Sequence, residues 1–261
     1  MITSRDNPRI KAAIRLRESA GERRKWGLFF LEGSRLCCDA IASGYVPETL
    51  FATEEAQRKY PLPIDPNAYP VSPVTNSVAQ KLGDTKNPQG IFGVFRQKSD
   101  RRNAFWNPGG TYIALEGVQD PGNLGAIART AQALGLTGLL VSGGCDIYHP
   151  KALRASMGAL LRVPVLECED LVGTLAACGL PCYAAVPDGR AVPIHEISFH
   201  EGAVLLLGNE GSGLSEEALR ACAARVTIPM PGKAESLNAA AAAAILMWEL
   251  MRNAECGMRN A

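Results

Sequence analysis

From Thr111 onward, short apolar stretches alternate with helix-forming stretches, and this alternation limits the possible folds more than any other feature. The predicted strands cover residues 112–115, 138–142, 163–166, 182–185, 203–207 and 225–228. The predicted helices cover residues 124–134, 151–161, 170–178, 215–223 and 236–252. Such a pattern predicts an α/β fold with a mostly parallel sheet that is covered by helices on both faces.

A smaller α/β unit precedes this region. Its predicted strands cover residues 29–31, 49–52 and 90–95, and its predicted helices cover residues 8–20, 32–43 and 74–82. Residues 97–110 combine charged side chains with Asn-Pro-Gly-Gly and have no periodicity, which is typical of a linker. We therefore predict an N-terminal domain at 1–96, a linker at 97–110 and a C-terminal domain at 111–261. Phe105 and Trp106, near the end of the linker, are expected to be anchored on a domain surface.

The composition is that of an ordinary globular chain and argues against several classes of protein. The 261 residues include no apolar run near the roughly 20 residues that span a bilayer, and no apolar signal segment follows the polar N-terminus. We therefore predict a cytoplasmic protein. The eight cysteines include no C-x-x-C pair, and the three histidines have no zinc-ligand spacing, so neither a disulfide framework nor a metal site is predicted.

The formal net charge of +1 conceals an asymmetry along the chain. Residues 1–105 contain 17 Lys and Arg against 11 Asp and Glu, whereas residues 106–261 contain 10 against 15. The first 25 residues alone contain eight basic and three acidic side chains. A basic N-terminal part predicts a polyanionic partner that binds mainly from that end, with a solvated helix face as the alternative.

Polar residues follow three of the predicted strands, at the ends where parallel α/β sheets bind ligands. The first such loop follows Leu115 and contains an Asp-Pro-Gly-Asn turn before a helix begins. Asn123 and Arg129 lie near the start of that helix and offer several fixed donors to a planar or phosphorylated group. An ordinary surface charge is the alternative interpretation of Arg129.

The second loop, residues 208–214, follows Leu207 and reads Gly-Asn-Glu-Gly-Ser-Gly-Leu. Its three glycines allow positive φ angles and a close approach of the backbone to a ligand. The loop lacks the lysine of a Walker A motif and does not match the G-x-G-x-x-G dinucleotide fingerprint. Asn209 and Glu210, directly after an apolar strand, predict a ligand-binding loop, with a simple turn as the alternative.

The third loop follows Ile228 and begins Pro-Met-Pro-Gly, which cannot continue a helix. Ser236 is predicted to cap the next helix, which contains six consecutive alanines. Alone, this pattern is typical of a core helix. With the other two loops it predicts a pocket built largely of backbone, which suits a neutral or cationic nucleoside better than a polyphosphate because little positive charge converges there.

The three loops together resemble the ordered motifs of the SpoU/TrmH branch of the SPOUT RNA methyltransferases. The matching residues are Asn123-x-Gly125-x-x-x-Arg129-Thr130-Ala131, then Leu207-Gly208-Asn209-Glu210-x-x-Gly213-Leu214, then Ile228-Pro229-Met230 with Ser236-Leu237-Asn238. Residues 28–96, with Phe30-Leu31-Glu32-Gly33 and Asn87-Pro88-Gln89-Gly90, are similar to a small ribosomal-protein-like RNA-binding domain. The all-alanine run after Asn238 departs from the family's usual mixture of small and β-branched residues, which bears on packing.

This resemblance implies a C-terminal SPOUT domain with a trefoil knot, in a homodimer whose active site lies at the subunit interface. It implies transfer of a methyl group from S-adenosylmethionine to a ribose 2′-hydroxyl of RNA, with ribosomal RNA favoured by the extra N-terminal domain and transfer RNA as the alternative. The implied cofactor-binding residues are Gly208, Asn209, Gly213, Ile228, Met230 and Leu237. The implied polar active-site residues are Asn123, Arg129, Glu210, Ser236 and Asn238.

Arg129 is the residue expected to contribute most to the reaction. A guanidinium group stays protonated at neutral pH, so we expect it to position the target phosphate and stabilise the developing alkoxide rather than act as a base. Glu210 is expected to orient Arg129 or Asn123. The basic residues expected to contact RNA phosphates are Arg5, Arg9, Lys11, Arg15, Arg17, Arg23, Arg24 and Lys25.

Two other classes of protein are compatible with parts of the pattern. A non-catalytic SPOUT-like protein would hold RNA without methylating it, although the intact Asn123, Arg129, Glu210 and Asn238 argue against that reading. A Rossmann-type oxidoreductase would show the same alternation of strands and helices, but the chain lacks its glycine fingerprint.

Overall fold

Contacts divide the chain into two compact units, and each is described by itself. The structure is a computed structural model that describes residues 1–60, 62–64, 67, 69–98, 105–199, 201–232 and 234–258, except for the side chains of residues 254–258. The first unit comprises Met1–Ser99 and Asp146–Arg162, and the second comprises Asp100–Cys145 and Val163–Ala261. The domain boundaries predicted from the sequence differ from this division, because they place residues 146–162 in the C-terminal domain. Those boundaries stay a prediction.

The described residues form helices and strands that are numbered here along the chain. The strands are β1 (Leu28–Glu32), β2 (Pro47–Ala52), β3 (Val71–Pro73), β4 (Ile91–Arg96), β5 (Thr111–Glu116), β6 (Gly138–Ser142), β7 (Val165–Cys168), β8 (Cys182–Ala185), β9 (Val192–Pro193), β10 (Ala203–Leu207) and β11 (Ala224–Thr227). The helices are α1 (Pro8–Glu18), α2 (Ala20–Trp26), α3 (Ser34–Ala42), α4 (Glu54–Lys59), α5 (Asn76–Leu82), α6 (Pro121–Leu134), α7 (Pro150–Ala155), α8 (Ala159–Arg162), α9 (Leu171–Ala176), α10 (Glu216–Ala221) and α11 (Ala239–Met258).

The first unit is built on a four-stranded sheet in the order β1-β4-β2-β3. Strand β4 is antiparallel to both of its neighbours, and β3 runs parallel to β2. Helix α1 buries Ile10 and Leu16 in a cluster with Phe30 and Phe92 of the sheet. Helix α1 is therefore packed on the sheet of this unit by its apolar side.

The predicted helix at 8–20 is two helices. Ser19 has an extended backbone, and its hydroxyl accepts a hydrogen bond from the Glu22 N–H at 3.2 Å, so it caps α2 and ends α1. The predicted helix at 151–161 is also divided, into α7 and α8, because Met157 and Gly158 both have positive φ angles, of 51° and 81°. Such a left-handed pair cannot continue an α-helix.

The predicted phosphate contacts of Arg17 and Arg23 are wrong, because both side chains are largely buried and bind protein groups. Arg23 is only 1% exposed, and its guanidinium donates to Asp146 Oδ2 at 2.6 Å and to the Leu16 carbonyl at 2.7 Å. Arg17 donates to the carbonyls of Leu82 and Gly83, both at 2.8 Å. Exposed basic side chains that stay candidates for phosphate contacts are Arg5, Arg9, Lys11, Arg15, Arg24 and Lys25.

The second unit contains a seven-stranded sheet in the order β7-β6-β5-β10-β8-β11-β9, and all of its strand pairs are parallel. Tyr112, Leu140 and Leu206 face a core cluster that includes Leu171 of α9 and Ala218 of α10. Helices α6 and α11 pack against each other and against the same sheet. The predicted parallel α/β fold is confirmed, while the trefoil knot stays a prediction.

The C-terminal end of the predicted linker is anchored, as the sequence predicts. Phe105 is buried in the core cluster of the second unit, and Trp106 packs beside it with 4.9 Å between the two ring centroids. Residues 99–104 of the linker lie outside the described residues. None of the helices within the described ranges combines the length and the apolar character that a membrane span requires.

Candidate active site

Glu210 joins the loop after β10 to the loop after β5. Its Oε1 accepts a hydrogen bond from Asn123 Nδ2 at 2.9 Å, and its Oε2 accepts one from the Gln119 N–H at 3.3 Å. Burial raises the pKa of this carboxyl group, but the hydrogen bonds from Asn123 and from backbone N–H groups lower it, and the net result lies below the ordinary value of 4.5. Glu210 is therefore ionised at neutral pH and orients Asn123.

Asn238 connects these two loops to the third. Its Nδ2 donates to Asn123 Oδ1 at 3.0 Å, while its Oδ1 accepts from the backbone N–H groups of Ala240 and Ala241 at 2.9 and 3.3 Å. Asn238 is thus the N-cap of α11, and the prediction that Ser236 caps this helix is wrong. A single chain of hydrogen bonds runs from Glu210 through Asn123 to the first turn of α11.

The loop at residues 208–214 is folded tightly on itself. The side chain of Asn209 donates to the Gly117 carbonyl at 2.7 Å and accepts from the N–H groups of Gly211 and Ser212 at 2.8 and 3.0 Å. A Cβ atom at Gly208 would lie only 2.2 Å from the Gly213 carbonyl carbon. The glycine at 208 is therefore required by the closure of the loop, and the Asn209 amide is used to shape it.

Glu116, at the end of β5, is a site residue that the sequence reasoning missed. Its carboxylate accepts hydrogen bonds from Ser215 Oγ at 2.7 Å and from the Ser215 N–H at 2.8 Å, which ties the loop after β10 to the sheet. The end of β8 and the start of the loop after it, residues 185–187, were missed as well and line the cavity described next. Because β8 ends at Ala185, the strand-end rule applied to this strand also would have found them.

A cavity of about 660 Å³ lies at the carboxyl ends of the central strands, beside the first turns of α11. Such a volume is within the range of sites for drug-sized ligands and cofactors. Predicted cofactor-binding residues that line it are Gly208, Asn209, Gly213, Ile228, Met230 and Leu237. Predicted polar active-site residues that line it are Glu210, Ser236 and Asn238. Asn123 does not line the cavity but is hydrogen-bonded to two residues that do, Glu210 and Asn238. The cofactor-binding and catalytic roles of all these residues stay predictions.

The lining of this cavity fits a cationic nucleoside such as S-adenosylmethionine. Glu210 and Glu235 are among the lining residues, and no Lys or Arg is found among the lining residues that the structure describes. Leu207, Ile228 and Met230 supply apolar surface that can cover a purine. These lining residues offer no positive charge to bind a polyphosphate, whereas their acidic side chains would stabilise a positively charged sulfur.

Arg129 is placed differently from the other predicted residues. It lies on the exposed side of α6, and its side chain makes no hydrogen bond or ion pair with any residue in the described ranges. It is absent from the lining of the cavity within one chain. Of the two partners proposed for Glu210, the structure therefore gives Asn123 and not Arg129. In the described part of the chain, no cluster of three or more His, Cys, Asp or Glu side chains is arranged to hold a metal ion.

Comparisons with known proteins identify the family of this chain. The model of the SpoU rRNA methylase family matches residues 110–248, and the model of the MRM3-like substrate binding domain matches residues 7–93. The 23S rRNA (guanosine(2553)-2′-O)-methyltransferase RlmP of Bacillus subtilis is 31% identical over 95% of this chain and 98% of its own length. An uncharacterised tRNA/rRNA methyltransferase of Synechocystis is 33% identical over 96% of this chain and 93% of its own.

A similar result comes from solved structures. The AdoMet-bound rRNA methyltransferase from Sinorhizobium meliloti superposes with a TM-score of 0.84 at 32% identity, over 96% of this chain and 97% of that one. The fold and these matches thus define an α/β methyltransferase of the SPOUT type. The chain belongs to the SpoU rRNA methylase family.

Replacing Asn238 with alanine is expected to lower both the stability of the chain and its affinity for S-adenosylmethionine. Loss of the cap should cost about 1 kcal/mol of unfolding free energy, and loss of the bond to Asn123 should weaken cofactor binding by about tenfold. Asn238→Ser retains a capping oxygen but is too short to reach Asn123, so it should recover stability and not affinity. Thermal unfolding and calorimetric titration separate the two effects; cofactor binding at the wild-type level in Asn238→Ser would contradict the positioning role.

Proposed function

We propose that this protein is an S-adenosylmethionine-dependent RNA methyltransferase that methylates a ribose 2′-hydroxyl in ribosomal RNA. The observation that supports this most directly is the cavity at the strand ends, where Glu210, Asn123 and Asn238 form one hydrogen-bonded chain. The carboxylate-containing lining, without a described Lys or Arg, suits the cationic cofactor. Family membership and the activities named for the relatives lead to the same reaction.

The residues of this chain have distinct roles in the proposed reaction. When bound, S-adenosylmethionine supplies a methyl group on a positively charged sulfur. Glu210 and Asn238 hold Asn123 in one orientation, and the backbone around Gly208, Ile228 and Leu237 holds the nucleoside. Arg129 positions the RNA phosphate and stabilises the negative charge that develops on the ribose 2′-oxygen as its proton leaves.

The proposal includes a homodimer in which Arg129 of one protomer serves the cavity of the other. Within one chain Arg129 is exposed and has no partner among the described residues, so it is available to a second subunit or to RNA. Helix α11 presents Ile245 and Trp248, 40% and 57% exposed and three residues apart, on one side of the second unit. These two exposed apolar side chains lie next to small alanines, which would allow a second copy of the chain to pack closely against the helix.

Replacing Trp248 with glutamate is expected to convert the dimer to a monomer, because a charge would be buried in an apolar contact. Light scattering after gel filtration should give a mass of twice 27.8 kDa for the wild type and 27.8 kDa for the variant. Trp26→Glu is the matched control, since Trp26 is 60% exposed but lies on α2 of the first unit. A dimeric Trp248→Glu variant would contradict this interface.

Methyl transfer itself is the test of the proposed function. Wild-type protein incubated with tritiated S-adenosylmethionine and unmodified 23S rRNA transcript should place label on a 2′-O-methyl nucleoside after nuclease digestion. Transfer RNA transcripts, tested in parallel, address the alternative substrate. Label on a base would overturn the assigned chemistry, and RNA binding without label would support the non-catalytic alternative. A cytoplasmic location goes with this substrate and is part of the proposal.

A further inference from the structure

A second cavity, of about 340 Å³, lies in the first unit and has no part in the site described above. It is formed between α4, α5 and the loop at residues 88–90. Ala56 and Ala79 are buried on these two helices and, with Pro88, give it an apolar floor. A Cβ atom at Gly90 would lie 2.8 Å from Thr53 Oγ1, so the glycine keeps this part of the floor closely packed.

One wall of this cavity is aromatic and basic. The half-buried ring of Tyr60 contributes to the lining, and Lys59 Nζ lies 5.3 Å from the centroid of that ring. The ammonium group lies over the ring, as in a cation–π contact. An aromatic ring beside an apolar floor is suited to contact with a flat base, and a neighbouring lysine is suited to an adjacent phosphate.

Three polar side chains at the rim of the cavity have no hydrogen-bonding partner in the described part of the chain. Glu55, Asn76 and Gln80 are exposed, and their side chains make no hydrogen bond or ion pair with any residue that the structure describes. Asn and Gln each offer a donor and an acceptor, and the carboxylate of Glu55 offers acceptors only. This combination can bind the hydrogen-bonding edge of a nucleobase, for which amide and carboxylate side chains are the ordinary partners.

We propose that this cavity binds one unpaired nucleobase of the RNA substrate, and that Glu55 selects a base with an exocyclic amino group. The inference rests on the proposed function, since it assigns a specificity site for the same RNA at a place separate from methyl transfer. The match of residues 7–93 to a substrate-binding domain model supports this location. A single lysine would be a weak site for a free phosphate, whereas stacking and edge contacts together fit a base.

Cytosine and uracil provide the sharpest probes, because they differ mainly in an amino group against a carbonyl at position 4. Fluorescence anisotropy of the full chain with fluorescein-labelled single-stranded oligo(C) and oligo(U) RNA decamers should show oligo(C) bound at least about fivefold more tightly. Glu55→Gln should bring the two affinities together. Gln80→Ala and Asn76→Ala should each weaken oligo(C) binding by about fivefold or more.

Gln57→Ala is the matched control, because Gln57 is an exposed amide on the same helix α4 that does not line the cavity. Tyr60→Phe should retain oligo(C) binding, since stacking needs only the ring. Unchanged oligo(C) affinity in Gln80→Ala, or an unchanged preference for oligo(C) in Glu55→Gln, would overturn the proposal. Methyl transfer to 23S rRNA by the wild-type protein, measured on the same preparation, separates failure of this inference from failure of the proposed function. If methyl transfer occurs but the variants bind the oligonucleotides like the wild type, only the role of this cavity is refuted. If no methyl transfer occurs, the proposed function itself is refuted.

Discussion

Replacing Arg129 with alanine is expected to lower methyl transfer by roughly 10²- to 10³-fold or more while leaving the affinity for S-adenosylmethionine almost unchanged. Like Asn123, the guanidinium lies outside the lining of the cavity in a single chain. Unlike Asn123, it bonds to none of the described lining residues, so its loss should leave the cavity intact. It is exposed and makes no hydrogen bond within the described ranges, so the fold should be unaffected. The expected defect is therefore confined to RNA and to the developing charge.

Arg220→Ala is the matched control for this experiment. Arg220 is an exposed arginine on α10 of the same unit, and among the described residues its guanidinium bonds only to the nearby Glu216 carbonyl. It should transfer methyl groups at the wild-type rate. Arg129→Lys keeps the charge but loses the planar fork of donors, so an intermediate rate is expected. Wild-type turnover in Arg129→Ala, with S-adenosylmethionine binding measured by calorimetry on the same sample, would contradict the role given to this residue.

Replacing Arg23 with alanine is expected to destabilise the first unit by about 3–5 kcal/mol, because it leaves the Asp146 carboxylate without its buried partner. Arg23 is 1% exposed and bridges the end of α1 to Asp146 and to the Leu16 and Arg17 carbonyls. A loss of this size should lower the unfolding temperature of the unit by about 10 °C or more. RNA binding should then fall because the unit unfolds and not because a phosphate contact is lost.

Arg24→Ala separates these two explanations. Arg24 is the neighbouring residue on α2 and is exposed, so its loss should leave the unfolding temperature within about 1 °C of the wild type while weakening the binding of RNA at low salt. Thermal unfolding followed by circular dichroism gives the first quantity, and RNA titration at several salt concentrations gives the second. Equal unfolding temperatures for Arg23→Ala and wild type would show that the Asp146 ion pair does not hold this unit together.

The sheet and the position of the cavity could be predicted from the sequence, because both follow from the alternation of apolar strands and helices along the chain. Apolar strands alternating with helices specify parallel pairing, and parallel pairing brings the loops after Leu115, Leu207 and Ile228 to one edge. The residues predicted to bind the cofactor consequently line one cavity. The short segments α4, β3 and β9 were missed because so few residues give no period to detect.

The errors concern residues whose role depends on distant parts of the chain. Ser236 and Asn238 are both good caps by residue type, and the choice of Asn238 is coupled to its bond to Asn123, which is 115 residues away. Arg23 resembles its exposed basic neighbours, but its partner Asp146 is 123 residues away. Neither pairing leaves a sign in local sequence, since a side chain's burial depends on what tertiary packing places next to it.

Mapping of 2′-O-methyl groups in the RNA of cells with and without the gene tests the central claim most directly. The proposed function predicts that one ribose in ribosomal RNA loses its methyl group when the gene is removed and regains it when the wild-type gene, but not the Arg129→Ala variant, is returned. An unchanged pattern of ribose methylation in ribosomal RNA, with a methyl group lost only from transfer RNA or from no RNA, would contradict it.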